Sequence, residues 1–169
     1  MAVASKTSLA SRSDTRAIDA VDGANSGYIQ TLYIIVSKGY PRDSESARMI
    51  DFCLVTNDGK NTNTVYRLDG RKGTHGLKVV PGYGNPRSRP HFVRQLHVAT
   101  LSVRSPNDTT LHELVTGISI NNENPEWTRW MWVDAVLGAL SAANIISSDE
   151  GTGIIDATID CVGTATYPD

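Results

Sequence analysis

Residues 126–144 read EWTRWMWVDAVLGALSAAN, and this stretch decides the fold that the sequence predicts. Asn124 and Pro125 precede it, a pair typical of a helix N-terminus, because proline at the first helical position loses no hydrogen bond. Apolar residues at helical spacing form two stripes, Trp130, Val133, Leu137 and Leu140, and Trp132, Val136, Ala139 and Ala143. A helix that is apolar on most sides either lies in the centre of a core or lines a cavity.

Three tryptophans, Trp127, Trp130 and Trp132, lie at the start of this helix. Clusters of aromatic side chains more often fill a core than line a ligand site. The alternative is that the indoles form a hydrophobic pocket for a small apolar substrate. The three side chains need not share one role, so both interpretations stay open.

Strands are predicted before the helix, where runs of β-branched and aromatic residues alternate with turn dipeptides. The predicted strands are residues 28–36, 49–55, 63–68 and 94–103, with a short fifth at 77–80. A first helix is predicted from Thr110, since Thr110 and Glu113 have capping-box spacing. The fold class is therefore α+β, an antiparallel sheet of about four to five strands packed on two C-terminal helices.

The chain has 169 residues, which is the size of one ordinary domain. We interpret residues 1–27 as a flexible tail, whose composition also fits a transit peptide, and residues 28–169 as a single globular domain. No apolar run approaches the ~18 residues that span a bilayer, so we expect no membrane span. Cys53 and Cys161 are the two cysteines, and we expect free thiols and a cytoplasmic location.

Charge is distributed unevenly along the chain. Residues 60–94 carry eight basic side chains and one acid, whereas residues 144–169 carry five acids and no lysine or arginine. The simpler interpretation is that the acidic tail complements the basic segment at the surface. The functional interpretation is that the glycine-rich loop within the basic segment receives an anionic group, with Arg71, Lys72, Arg87 and Arg89 as candidates.

The histidines and the basic segment lack the patterns of several common sites. The four histidines show no metal-site spacing to another histidine, a cysteine or a carboxylate, so we expect no metal and no cofactor. The formal charge of −2 and the absence of a recognisable binding signature argue against a nucleic-acid partner. His75 and His91 lie in the irregular loop segment, where functional residues concentrate, and are the better candidates for chemistry.

Three segments together resemble a family of small, uncharacterised fungal proteins: residues 49–55 (MIDFCLV), 64–70 (TVYRLDG) and 129–134 (RWMWVD). Members of that family are often encoded among biosynthetic genes. Their layout is distantly similar to the permuted papain-like fold, in which a strand histidine and a helix cysteine form a catalytic pair. The resemblance covers about residues 45–145 and implies a role in fungal secondary metabolism.

The resemblance fails at the catalytic pair, since Asp51 stands at the histidine position and Arg129 stands close to the cysteine position. A cysteine hydrolase is therefore disfavoured. Asp51 and Arg129 either form a buried ion pair between strand and helix, or Asp51 acts as an acid or base tuned by burial and by Arg129.

We expect a cofactor-free cyclase or isomerase, of pericyclase-like type, that binds an apolar and anionic intermediate. Asp51, Arg129, His91 and Tyr66 are its candidate catalytic residues, and Trp127, Trp130, Trp132, Arg71, Arg89 and His75 its candidate binding residues. The alternative is a non-catalytic binding or interaction protein, an effector or partner subunit that keeps the scaffold without its nucleophile. A homodimer is compatible with either function.

Overall fold

We describe residues 27–166 of a computed structural model of the protein, so the predicted tail lies outside the described residues except for Gly27. Five strands form one sheet: β1 (Tyr28–Ser37), β2 (Met49–Asn57), β3 (Thr62–Asp69), β4 (Gly76–Pro81) and β5 (Phe92–Val103). Three α-helices follow: α1 (Thr110–Thr116), α2 (Arg129–Ala142) and α3 (Ser148–Gly163). The predicted α+β class, with an antiparallel sheet on two C-terminal helices, is confirmed.

The sheet has the order β4-β3-β2-β1-β5, and every neighbouring pair is antiparallel. Strand β1 lies between β2 and β5 and pairs with both along its length, from Ile29 opposite Asn57 to Ser37 opposite Met49 and Phe92. Its run of β-branched and aromatic residues suits a strand covered on both faces. The short predicted strand at residues 77–80 forms β4 at one edge.

One face of the sheet, which we call the helix face, carries the main core. Because side chains alternate along a strand, Ile50, Phe52 and Leu54 of β2 point together toward the helices. Trp132 of α2 is 0% exposed and meets the Phe52 ring edge to face, with 5.2 Å between centroids. Helix α2 is thus a central packing element, as the apolar pattern of residues 126–144 indicates.

Helix α2 begins at Arg129, three residues later than predicted. Thr128 is its N-cap and accepts a hydrogen bond from the Met131 amide, whereas the predicted cap, Asn124, closes a turn by accepting from the Glu126 and Trp127 amides. Trp127 therefore precedes the helix.

Helix α3 lies within residues 144–169, the acidic segment that the sequence predicts as a tail. It begins with a capping box in which the Ser147 side chain accepts from the Glu150 amide and the Glu150 side chain accepts from the Ser147 amide. Asp149 and Glu150 lie in its first turn, where carboxylates stabilise the positive end of the helix dipole. Four of the acids of this segment, Asp149, Glu150, Asp156 and Asp160, therefore belong to a helix packed on the sheet.

The opposite face of the sheet, which we call the open face, carries a smaller apolar cluster. Ile35, Cys53 and Val65 form its buried part, and Tyr83, from the loop after β4, packs against them. Asp51 also points to this face, because it alternates with Ile50 and Phe52.

The segment between β1 and β2 is held by one buried ion pair. Arg48 Nε donates to Asp43 Oδ1 at 2.9 Å, and Arg48 Nη2 donates to Asp43 Oδ2 at 2.8 Å. The same guanidinium donates to the Cys161 carbonyl and the Thr164 hydroxyl at the end of α3. A cation at a helix C-terminus is favoured by the helix dipole. We call this set of contacts the Arg48 clamp, and it fixes residues 38–48 against α3.

We predict that Arg48→Met destabilises the protein by about 3–5 kcal/mol, because Asp43 would stay buried without its partner. The hydrogen bond from Arg48 lowers the pKa of Asp43 to about 2, so this stabilisation is complete above the ordinary carboxyl pKa and is lost as pH falls from about 4 toward 2. Urea unfolding at pH 7 and pH 2 measures both effects.

The matched control is Arg42→Met, which changes an exposed arginine in the same segment. A loss of stability as large in Arg42→Met, or an Arg48→Met deficit that is undiminished at pH 2, would contradict the role of the clamp.

Candidate functional site

A cleft of about 290 Å³ opens at the N-terminus of α2. Its walls come from the loop between β3 and β4, the approach to α2, and residues 45–50, and the side chains that matter here are Arg48, Lys72, His75, Trp127, Arg129 and Trp130. The first amide groups of a helix have no intrahelical acceptor and favour negative charge. The cleft thus combines cationic side chains, two indoles and a helix N-terminus.

Arg129 is the cleft cation that lacks a direct carboxylate contact among the described residues. Its Nη1 donates to the Arg48 carbonyl at 3.2 Å and its Nη2 to the Leu68 carbonyl at 3.4 Å. It forms no ion pair with a carboxylate of residues 27–166, and its buried Nε has no hydrogen-bond partner there. Burial lowers the pKa of Arg129, partly offset by the negative charge of Asp51. An anion bound beside the guanidinium would offset this cost.

His75 is held at the cleft by its backbone. The Asn122 side chain accepts from the His75 amide at 2.8 Å and donates to the His75 carbonyl at 2.9 Å. The imidazole packs against Trp127, with 5.7 Å between ring centroids, and its buried Nδ1 has no partner among residues 27–166. Lys72 lies beside it and meets Glu126 at 3.8 Å in an exposed pair that contributes little to stability.

The three tryptophans have different roles, an outcome that the sequence left open. Trp132 belongs to the core, whereas Trp127 and Trp130 line the cleft. Trp127 is 7% exposed and packs on the His75 ring, and Trp130 is half-buried. Trp130 and Trp132 are two positions apart on α2, so their side chains point to different sides of the helix.

A larger apolar groove of about 960 Å³ lies between α2 and α3 and adjoins the cleft. Trp130, Val162, Glu45 and Ser46 line both spaces and form the wall between them. Since the Arg48 clamp holds residues 38–48 on the end of α3, it also positions the Glu45 and Ser46 part of this wall.

Asp51 lies on the open face and pairs with Arg67 of β3, not with Arg129. Arg67 Nε donates to both carboxylate oxygens at 3.0 Å, and Nη2 donates to Oδ2. The predicted ion pair with Arg129 is wrong, because the sheet separates the Asp51 side chain from the helix face. Arg67 neutralises the carboxylate, and Asp51 does not line the cleft.

Two further candidate catalytic residues lie apart from the cleft. Tyr66 is buried in the core, where its hydroxyl meets His112 Nδ1 at 2.9 Å, and burial raises the pKa of Tyr66. His91 is exposed just before β5, and its carbonyl accepts from the Lys38 amide. Of the four candidates, the structure places Arg129 alone in the cleft.

The basic segment is divided by β4 into two separate groups. Lys72 and His75 precede β4 and line the cleft, while Arg71 is exposed beside them. Arg89 follows β4 and lies over the Tyr83 ring on the open face, with 4.7 Å from its guanidinium carbon to the ring centroid. A strand of six residues is about 20 Å long, so one anion cannot contact both groups.

Several residues of the cleft and groove carried no usable sequence signal. Glu45 and Ser46 lie in an irregular segment, and Asp134, Ile159 and Asp160 are ordinary helix positions until α2 and α3 are placed side by side. The Ser147 to Glu150 capping-box spacing was a detectable signal for α3.

Within residues 27–166, no group of three or more histidine, cysteine or acidic side chains is placed to hold a metal ion. The helices of this range are also too short or too polar to cross a membrane. No family model, curated protein or solved structure matches this chain. The resemblance of its sequence to the fungal family therefore stays a prediction.

Proposed function

We propose that the protein binds a small molecule with an apolar body and one anionic group, and that it does so in the cleft at the N-terminus of α2. The observation that carries this proposal is Arg129, whose charge lines the cleft without a carboxylate partner in residues 27–166. Leaving a charged group partly buried and unpaired costs free energy, which a bound anion recovers.

Other features of the cleft support the same ligand. The helix N-terminus favours negative charge, and Lys72 adds a second positive charge at the rim. Trp127 and Trp130 offer indole surfaces to an apolar or aromatic body. The cleft and the adjoining groove give such a body room beyond the anionic group.

We predict that phenylacetate binds at least about tenfold more tightly than phenylacetamide, which has the same shape without the charge, a difference of about 1.4 kcal/mol. NMR titration of the indole N–H signals measures this. Trp127 and Trp130 report the cleft, and Trp132 in the core is the internal control. In Arg129→Gln the preference for the carboxylate should disappear.

Arg71→Gln is the matched control, because Arg71 is an exposed arginine of the same basic segment. An unchanged Trp132 signal would show that each variant keeps its fold. Equal affinity for the two compounds, or an equal loss of preference in Arg71→Gln, would contradict the proposal.

A cyclase or isomerase acting on this ligand is the second candidate function, favoured by the position of His75. His75 and Arg129 line the same cleft, so a proton acceptor and a cation that stabilises an oxyanion face one cavity. In such a step, the neutral imidazole would take a proton from the carbon beside a carbonyl. The enolate oxygen would then develop its charge next to Arg129. In a substrate with a carbon–carbon double bond conjugated with the enolate, the imidazolium would return the proton at the far carbon of that double bond.

We predict that the protein accelerates deuterium exchange at the carbon beside the keto group of benzylpyruvate in D₂O, measured by NMR. His75→Gln should lower the rate by a factor of about 100, the usual contribution of a general base. His91→Gln is the matched control and should keep the rate, because His91 is exposed and lies outside the cleft. Exchange no faster than in buffer would contradict the cyclase or isomerase function and would support a protein that only binds the ligand.

We also propose that the protein is cytoplasmic. Cys53 and Cys161 are both free and buried, and burial raises the pKa of Cys53 to about 12. Unpaired thiols are typical of a reducing compartment.

A further inference from the structure

The groove between α2 and α3 holds apolar surface that the sheet leaves uncovered. On α3, Thr158 and Cys161 face the core, while Ile155, Ile159 and Val162 form a second stripe at helical spacing that lines the groove. Ile159 is 51% exposed. Helix α3 therefore carries apolar surface that its own fold leaves exposed.

Helix α2 contributes the opposite wall of the groove. Trp130 and Met131 line it, and Met131 is 44% exposed. Methionine and isoleucine side chains on either side of an open trough are the usual lining of a groove that accepts an amphipathic helix. The two helices are about 21 and 24 Å long, which matches a partner helix of about four turns.

Charge identifies the kind of partner. Three carboxylates line the groove, from Glu45, Asp134 and Asp160, and its described lining includes no lysine, arginine or histidine. The cleft on the other side of the Trp130 wall shares Glu45 with the groove but adds the positive charges of Lys72 and Arg129. Its third cation, Arg48, is paired with Asp43. An apolar strip bordered by carboxylates complements a helix that carries leucine-like residues and flanking lysines or arginines.

We propose that the α2–α3 groove is a docking site for a basic amphipathic helix of a partner protein. This inference is independent of the small-molecule site, because it rests on Asp134, Asp160, Met131 and Ile159, which do not line the cleft. The partner's apolar side chains would pack on Ile155 and Ile159, and its cations would lie near Asp134 and Asp160.

The test uses two synthetic amphipathic helices, one of leucine and lysine and its twin of leucine and glutamate, with binding to the full chain followed by fluorescence anisotropy. We expect the lysine helix to bind at least about tenfold more tightly than the glutamate helix, with an affinity that falls as salt rises. Ile159→Ser should weaken binding about tenfold, and Asp134→Asn with Asp160→Asn should remove most of the salt dependence.

Matched controls come from the same chain. Ile29→Ser changes another exposed isoleucine, on β1, and Asp156→Asn changes an exposed acid of α3 that does not line the groove. Both should bind as the unchanged protein does.

Three results would overturn the proposal. The first is equal affinity for the two peptides, and the second is a loss in Ile29→Ser or Asp156→Asn as large as in the groove variants. The third is that the groove has another occupant. A dimer in sedimentation that Ile159→Ser dissociates would assign the groove to a second copy, and tighter peptide binding after deletion of residues 1–26 would assign it to the N-terminal segment.

Discussion

The buried pair of Asp43 and Arg48 is the interaction on which the candidate sites depend. Arg48 joins two separate parts of the chain, because it binds Asp43 in its own segment and the end of α3 at Cys161 and Thr164. Buried ion pairs rarely add much net stability, but breaking one is costly, so such a pair fixes a conformation more than it strengthens it. Here it fixes the segment that brings Glu45 and Ser46 to the wall shared by cleft and groove.

That wall separates two surfaces of opposite charge on one side of the protein. The cleft presents Arg129 and Lys72 beside a helix N-terminus, while the groove presents Asp134 and Asp160 along an apolar floor. A small anion suits the first and a basic helix the second. Trp130 lines both surfaces. A ligand bound at one surface is therefore able to shift the Trp130 side chain, and this shift changes the shape of the other surface.

The sequence predicted the strands well because β-branched and aromatic residues dominate them, and because β2 and β3 end at Asp-Gly turns. It predicted a central α2 from its two apolar stripes. It missed α3, whose glycines at 151 and 153 lower helix propensity although Ser147 and Glu150 announce a cap. It predicted an interaction between Asp51 and Arg129, because linear order does not show which face of β2 meets the helices. His75, Trp127 and Arg129 were named as candidates, but only the packed fold shows that they share a cleft.

The Arg48 clamp holds residues 38–48 as an ordered wall. The most direct measurement is native-state hydrogen exchange of the Gly39 amide, which donates to Asp43 Oδ1 at 3.2 Å. If the clamp is formed, this amide should exchange about 100-fold more slowly than an unstructured glycine amide. Exchange at the unstructured rate, while the amides of β1 and β2 remain protected, would show that the clamp does not order this segment.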